Sequence, residues 1–259
     1  MYIASTNSTN TLLKELIAKG EWKEGRWPKG DEYLYTGFQT AGRGQTGNGW
    51  ESEADQNLLC SIVLSPRKNL FELNVIASVA VHRLMTHVYG LLANDDDVTI
   101  KWPNDIYWKD KKVAGILIEN AIVGNEVKYT IAGIGININQ TRWISDAPNP
   151  ISWKQISGEE YEIDAVMNVL LDEIHETEAM SHEELWDYYK VHLYRKEGFW
   201  RFVERPVSIE PTMNASSQEP IADSFMARIK DILPTGEIVL QDQEGKERKY
   251  HFKQIRYVL

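Results

Sequence analysis

Residues 101–119 read KWPNDIYWKDKKVAGILIE, and the reading of this run decides the fold. VTIK leads into it as a strand, and Pro103 ends that strand, because proline cannot donate to a ladder and biases Trp102 toward extended geometry. IYW, the polar turn at Lys109 to Lys112 and VAGILIEN then follow as strand, turn and strand. Beyond Gly124-Asn125 comes a further apolar run, VKYTIAGIGINI, and consecutive hairpins of this kind predict a mostly antiparallel sheet. The Asn104-Asp105 pair is placed at a strand end, where such a pair commonly serves as a turn former.

Upstream, Ala41 to Trp50 reads AGRGQTGNGW, with glycines at 42, 44, 47 and 49. Glycines allow positive φ and close backbone approach, so successive N–H groups are expected to form an anion nest, with Arg43 as a fork for phosphate or carboxylate. No helical run follows Gly42-x-Gly44 and no Gly-Lys-Ser/Thr is present, so this is neither a dinucleotide fingerprint nor a P-loop. Taken alone, it reads equally as a glycine-rich connector.

The strand YLYTGFQ delivers Gln39 to this loop, and LLCSIVL reads as a buried strand. Thr11 to Lys19 carries an apolar stripe closed by Gly20, a short helix for which Ser8 and Thr9 also suit as caps. Glu21 to Glu32 is a loop by composition. A long amphipathic helix is expected over Asn69 to Ala93; His82 and His87 lie on it at a spacing poor for a metal. Two more helices fit Asp164 to Met180 and Glu183 to Leu193, the second opened by a capping box from Ser181 to Glu184. Past Gly198 come short strands punctuated by turn residues, a small barrel-like unit with NASSQE at 214–219 as its flexible loop.

The chain has 259 residues, 42% of them hydrophobic, enough for one large domain and a small one. Its one cysteine, Cys60, lies in an apolar run and reads as a core thiol rather than a nucleophile. The start shows no signal peptide and no window suits a membrane span, so a cytoplasmic, unanchored protein is expected. A formal charge of −10 with no basic patch argues against nucleic-acid binding.

Together, QTAGRGQTGNGW, KWPNDIYWKDKKVAGILIE and GIGININ at 133–139, in that order, resemble the biotin protein ligases, the biotin–[acetyl-CoA-carboxylase] ligase family. The resemblance runs from Ser8-Thr9-Asn10 to the β-rich tail. STN occurs twice, at 5–7 and 8–10, and the second copy has LLKEL after it at the family spacing. The resemblance implies an α+β fold: a mostly antiparallel sheet with helices packed on one side over 1–203, then an SH3-like β domain over 204–259. It implies a monofunctional form without an N-terminal DNA-binding domain, since the first motif arrives at residue 8.

The implied activity joins biotin to ATP as biotinyl-5′-AMP, then transfers biotin to a lysine of a biotin carboxyl carrier protein. No nucleic acid or membrane partner is implied, and a homodimer is left open. By residue, the resemblance assigns Lys112, Arg43 and Asp105 to catalysis. Biotin falls to Ser8, Thr9, Gln39, Gly42, Arg43, Gly44, Lys112, Gly115 and Gly133; nucleotide falls to Arg43, Gln45, Trp50, Lys101, Asn104 and Asn137, with Asn139 behind them; Mg²⁺ falls to Asp105. Gly115, Gly133 and Gly135 are expected to keep the strands bare so that biotin lies against backbone. Gln45 and Asn48 replace two arginines of the family's GRGRxGR, which shifts phosphate stabilisation toward Arg43, Lys101, Lys112 and the metal and loosens adenylate retention. The rival activities are a lipoate or octanoate protein ligase, against which KWPND and GIGININ argue, and a non-catalytic biotin or adenylate sensor.

Overall fold

The computed structural model describes residues 1–19, 33–45, 48–88, 97–124, 126–144, 149–205 and 224–258. The expected loop over 21–32, the end of the helix expected to reach Ala93, Gly47, RPVSIEP beyond Arg205 and the NASSQE loop lie outside those residues. Among the described residues the larger sheet has seven strands, and only its first pairing, β1 (Tyr2–Thr6) with β2 (Tyr33–Gln39), is parallel. The remaining strands are β3 (Leu58–Leu64), β4 (Val98–Lys101), β5 (Asp105–Trp108), β6 (Lys111–Val123) and β7 (Glu126–Ile136), in the spatial order β1-β2-β3-β7-β6-β5-β4. The meander read from residues 98–136 is therefore present, with KWPND as the β4–β5 turn. β1 is an addition that the sequence pattern did not announce. Its pairing continues past the strand as Thr40 N–H to Thr6 O and Ala41 N–H to Asn7 O, both 2.9 Å, and this lays the glycine loop beside Ser8.

Strand alternation divides the sheet into two unlike faces. Cys60, Ile62, Ile100, Ile106, Ala114, Ile116, Ile134 and Ile136 point to one face and join the main core. That face is covered by α2 (Leu70–Arg83), with α4 (Ile163–Ala179) and α5 (His182–Val191) packed on α2. On the other face, register aligns Asp105 with Gly115 and Gly115 with Gly135, and Leu34 with Ser61 and Ser61 with Gly133. The expectation that all helices lie on one side needs correction. α1 (Thr9–Ala18) covers this second face, because Leu34 and Ile131 point there and Leu13 buries them in a cluster of their own.

Helix α2 gives way at Leu84–Val88 to a π-helical turn in which the Thr86 hydroxyl donates to the His82 carbonyl at 3.0 Å. His82 is a satisfied core histidine, bonded to Tyr188 Oη and Val98 O at 3.0 Å each, and burial pushes its pKa down to about 3. The capping box at Ser181 and Glu184 is formed, and a second one, Ser152 with Gln155, opens the short helix α3 (Trp153–Ser157). Cys60 is buried in β3, and burial raises its thiol pKa well above the usual range. No helix of the described residues is long and apolar enough to cross a membrane.

The C-terminal strands β8 (Trp200–Glu204), β9 (Ser224–Ile232), β10 (Ile238–Asp242), β11 (Glu247–Tyr250) and β12 (Ile255–Tyr257) form a separate sheet in the order β11-β10-β9-β8-β12. Its inner residues Phe202, Ile229, Ile238 and Tyr257 belong to the same core cluster as the larger sheet. The β4–β5 turn is keyed into it. Trp102 Nε1 donates to Gly236 O at 3.0 Å, and the Trp102 ring lies 6.2 Å from that of Phe252. From the other side, Tyr189 Oη donates to Pro103 O at 3.0 Å.

Leu13→Ala should destabilise the protein by about 2–5 kcal/mol, since the small cluster has few other atoms with which to refill the space. Urea denaturation reads this directly, and a loss no larger than that of an exposed substitution would show that α1 is not anchored there.

Candidate functional site

A cavity of about 350 Å³ opens on the face that bears the glycines. The α1 N-terminus, residues 43–45 and 48–50, the β4–β5 turn and the end of β12 wall it. Ser8, Thr9, Gln39, Arg43, Gly44, Gln45, Trp50, Lys101, Asn104, Asp105, Lys112, Gly115 and Gly133 all line it, so the structure brings together residues scattered from Ser8 to Gly133 that sequence reading had grouped. Gly42 and Asn137 do not line it.

The described parts of the glycine loop, 42–45 and 48–50, pair with each other. Arg43 and Gly49 form a β-bridge, Gly44 N–H donates to Asn48 O at 2.9 Å, and Trp50 N–H donates to Gly42 O at 3.0 Å. None of Gly42, Gly44 and Gly49 takes a positive φ, and Gly47 lies outside the described residues. The Gly44 and Trp50 N–H groups are therefore engaged within the loop. Gly42 is bare for a different reason: a Cβ there would meet Trp50 O at 2.5 Å, too close for the hairpin to close.

The bare strands are filled, and by the protein itself. A Cβ on Gly135 would meet Trp50 Cε2 at 2.5 Å, and one on Gly115 would meet Trp50 Cζ3 at 2.9 Å and Lys112 Nζ at 3.0 Å. Above Gly133 lies the Asn10 side chain. The indole of Trp50 thus rests over Gly115 and Gly135, and the Asn10 side chain over Gly133. The indole Nε1 is buried there without a hydrogen-bond partner among the described residues.

At the start of α1, Ser8 holds the N-cap position but makes no capping hydrogen bond, and both Ser8 and Thr9 are buried. Gln39 fixes that end, its Oε1 accepting from Thr9 N–H at 2.8 Å and Thr9 Oγ1 at 3.2 Å. Across the cavity, Lys112 Nζ lies 2.7 Å from Asp105 Oδ1 and 5.6 Å from the Trp50 ring. Lys101 Nζ donates to Tyr107 Oη at 2.8 Å and stands 5.4 Å from the Tyr257 ring. Burial pushes the Lys101 pKa down to about 8, against a pull upward from Asp105.

Two of the asparagines bond to neighbouring backbone. Asn104 is buried and donates its amide to Ile116 O, which ties the β4–β5 turn to β6. Asn137 donates to Lys112 O at 3.3 Å and Ile151 O at 3.1 Å, so it steadies the strand that carries Lys112 from behind the cavity. Asn139 exchanges hydrogen bonds with the Tyr161 backbone.

Sequence reading missed Arg205, Lys253 and Arg256, which reach the cavity from the C-terminal sheet. No local pattern signals them, because their role depends on how the two sheets pack. Arg256 Nε is buried without a hydrogen-bond partner among the described residues. With Arg43, Lys101 and Lys112 they place six cationic side chains on a cavity whose only described carboxylate is Asp105. Within a chain of net charge −10, this is a local site for a polyanion. No group of three or more His, Cys, Asp or Glu that could hold a metal occurs among the described residues.

The fold is that of a biotin protein ligase: the enzyme from Aquifex aeolicus, solved in complex with biotin and ATP, superposes with a TM-score of 0.72 over 100% of this chain and 98% of that one, at 21% identity. Among sequences, the bifunctional ligase/repressor BirA of Bacillus spizizenii is 35% identical over 141 residues, 51% of this chain and 41% of that protein. The biotin–[acetyl-CoA-carboxylase] ligase of Paracoccus denitrificans is 32% identical over 139 residues, 52% of this chain and 53% of its own length. The matches thus span about half the length of these relatives or less. The chain belongs to the Biotin/lipoate A/B protein ligase family, whose profile matches residues 2–137.

Gly135→Ala should cost about 1–3 kcal/mol by overpacking against Trp50, and almost nothing in a Trp50→Ala background. Equal costs in both backgrounds, read from denaturation midpoints, would mean that the indole does not rest on this strand.

Proposed function

We propose that this chain is an ATP-dependent biotin protein ligase. The observation that carries the reading is the concentration of six cations, Lys112 among them, and one carboxylate in a cavity floored by a glycine-bare sheet and an indole. In the first step the biotin carboxylate attacks the α-phosphate of ATP, the bond to the β-phosphate oxygen breaks, and pyrophosphate leaves. In the second, a lysine amine of a biotin carboxyl carrier protein attacks the acyl carbon, AMP leaves, and the amine loses a proton. Negative charge builds on phosphate in both steps, so fixed cations lower the barriers in a water-poor site.

Lys112 is assigned to the biotin carboxylate and the acyl phosphate, Arg43 and Lys101 to the nucleotide phosphates. The buried hydroxyls of Ser8 and Thr9, with Gln39, suit the polar edge of the biotin ring. Trp50 offers an indole face for adenine. Asp105 suits Mg²⁺ only as a single carboxylate shared with phosphate oxygens, the usual manner for this ion. It also suits orientation of the incoming lysine.

We assign residues 1–203 to the catalytic domain and 204–259 to an SH3-like domain, on the support of the short antiparallel C-terminal strands. The carrier of an acetyl-CoA carboxylase or related enzyme is the proposed partner, in keeping with the name of the Paracoccus relative.

Biotin-dependent ATP–pyrophosphate exchange, with lipoate as the control acid, tests the reading; exchange that follows lipoate instead would overturn it. Lys112→Ala should lower the exchange rate about 30- to 1000-fold, the range for removing a charged hydrogen-bond donor from a dry site. Lys111→Ala is the matched control: it is exposed and next in line on β6, and its effect should stay within about 0.5 kcal/mol. Equal activities for the two variants would remove Lys112 from the reacting centre.

Lys101 also sets a pH dependence. Its pKa of about 8 is depressed, so the free protein holds it neutral above that pH, and a phosphate must bring a proton with it. ATP affinity should therefore weaken as pH rises through 8, by up to about tenfold per unit, and Lys101→Arg should flatten the profile. A flat wild-type profile between pH 7 and pH 9.5, measured by calorimetry, would place Lys101 away from the phosphates.

A further inference from the structure

We propose that Glu119, a residue outside the cavity wall, positions Arg43 over the cavity and ties it to the α1 end of the site. The proposal rests on the ligase reading for the identity of the ligand. Glu119 pairs with Ile131 in the β6–β7 register and so faces the same side of the sheet as Gly115 and Gly133. Its Oε1 accepts from Lys14 Nζ at 2.6 Å; its Oε2 accepts from Asn10 Nδ2 at 2.7 Å and from Arg43 Nη2 at 3.0 Å. Three partners converge on one carboxylate from α1 and the hairpin. Asn10 in turn accepts from Ser61 Oγ and fills the space above Gly133. A continuous hydrogen-bonded line therefore runs Ser61, Asn10, Glu119, Arg43, from β3 through α1 and β6 to the glycine loop.

The need for such a support follows from the loop. Arg43 is the sole arginine of AGRGQTGNGW, its side chain is 42% exposed, and its backbone lies on a glycine-rich hairpin. An unsupported arginine there must give up its rotamer freedom each time it meets a phosphate or carboxylate. Glu119 uses Nη2 and leaves other N–H groups of the planar fork for a ligand. It does not cancel the guanidinium charge, because Lys14 and Arg43 set two cations against its one carboxylate. Burial works to raise the Glu119 pKa, yet the hydrogen bonds from Lys14 and Asn10 and the charges of Lys14 and Arg43 outweigh it and hold the pKa below the usual carboxylate range. Glu119 is thus ionised at neutral pH and acts as a positioning residue.

The test is a double-mutant cycle read by ATP titration calorimetry, with and without biotin. Glu119→Gln, which keeps the shape and loses the charge, should weaken ATP binding about three- to tenfold. In an Arg43→Ala background the same change should have less than a twofold effect, because the group it positions is gone. In steady-state pyrophosphate release, the loss should appear in the KM for ATP, with kcat within about twofold. Glu119→Asp keeps the charge but is too short to hold Asn10 and Arg43 together, so it should match Glu119→Gln and serves if that variant folds poorly. Equal effects of Glu119→Gln with and without Arg43, or no effect in either, overturn the proposal. A cycle that behaves as stated in a wild type that releases no pyrophosphate with biotin would instead overturn the ligase reading and leave Glu119 in its role.

Discussion

The arrangement depends first on the two-residue period of the central strands. Along β6 and β7 one face carries isoleucines and alanines that pack under α2, while the other carries Gly115, Gly133 and Gly135. A sheet buried equally on both faces has no hollow; one bare on a single face keeps a full core and an open surface together. The missing side chains make space that other groups take. Trp50 covers two of the glycines and Asn10 the third, so the hairpin and α1 are both seated by what the strands lack.

Electrostatics then acts within that geometry. Lys112 is held against Asp105, Lys101 against the Tyr107 hydroxyl, and Arg43 against Glu119. These three cations each have a local support, yet the cavity as a whole keeps a surplus of positive charge. The lining therefore stays ordered without being neutralised, which is the condition for preorganised stabilisation of developing negative charge.

Much of the large sheet was legible because its signals are local. Period-two runs, the Pro103 break and the turn at Lys109 gave the β4 to β7 meander, and Ser181-x-x-Glu184 gave the start of α5. The motif residues also converged on one cavity, apart from Gly42 and Asn137, which do not line it. What was not legible is non-local. β1 is five residues whose alternation is too short to stand out, and the parallel pairing that brings Ser8 to the glycine loop has no turn signal. The placement of α1 on the second face follows from Leu34 and Ile131 facing away from the main core, which only the register reveals. Glycines in AGRGQTGNGW suggested positive φ, whereas at Gly42 the close approach of Trp50 O is the demand that glycine meets. Arg205, Lys253 and Arg256 carry no pattern at all; their place is set by the docking of one sheet on the other.

That docking has a consequence for modularity. Trp102 is locked to Gly236 and Phe252, and the inner residues of the C-terminal strands share one hydrophobic cluster with the larger sheet. The C-terminal sheet is therefore a wall of the binding site, not an appendage, and it supplies three of the six cations. Exchange of that sheet between homologues would change the charge of the cavity without altering a single motif residue. Selection for anion affinity can thus act on a segment that carries no signature.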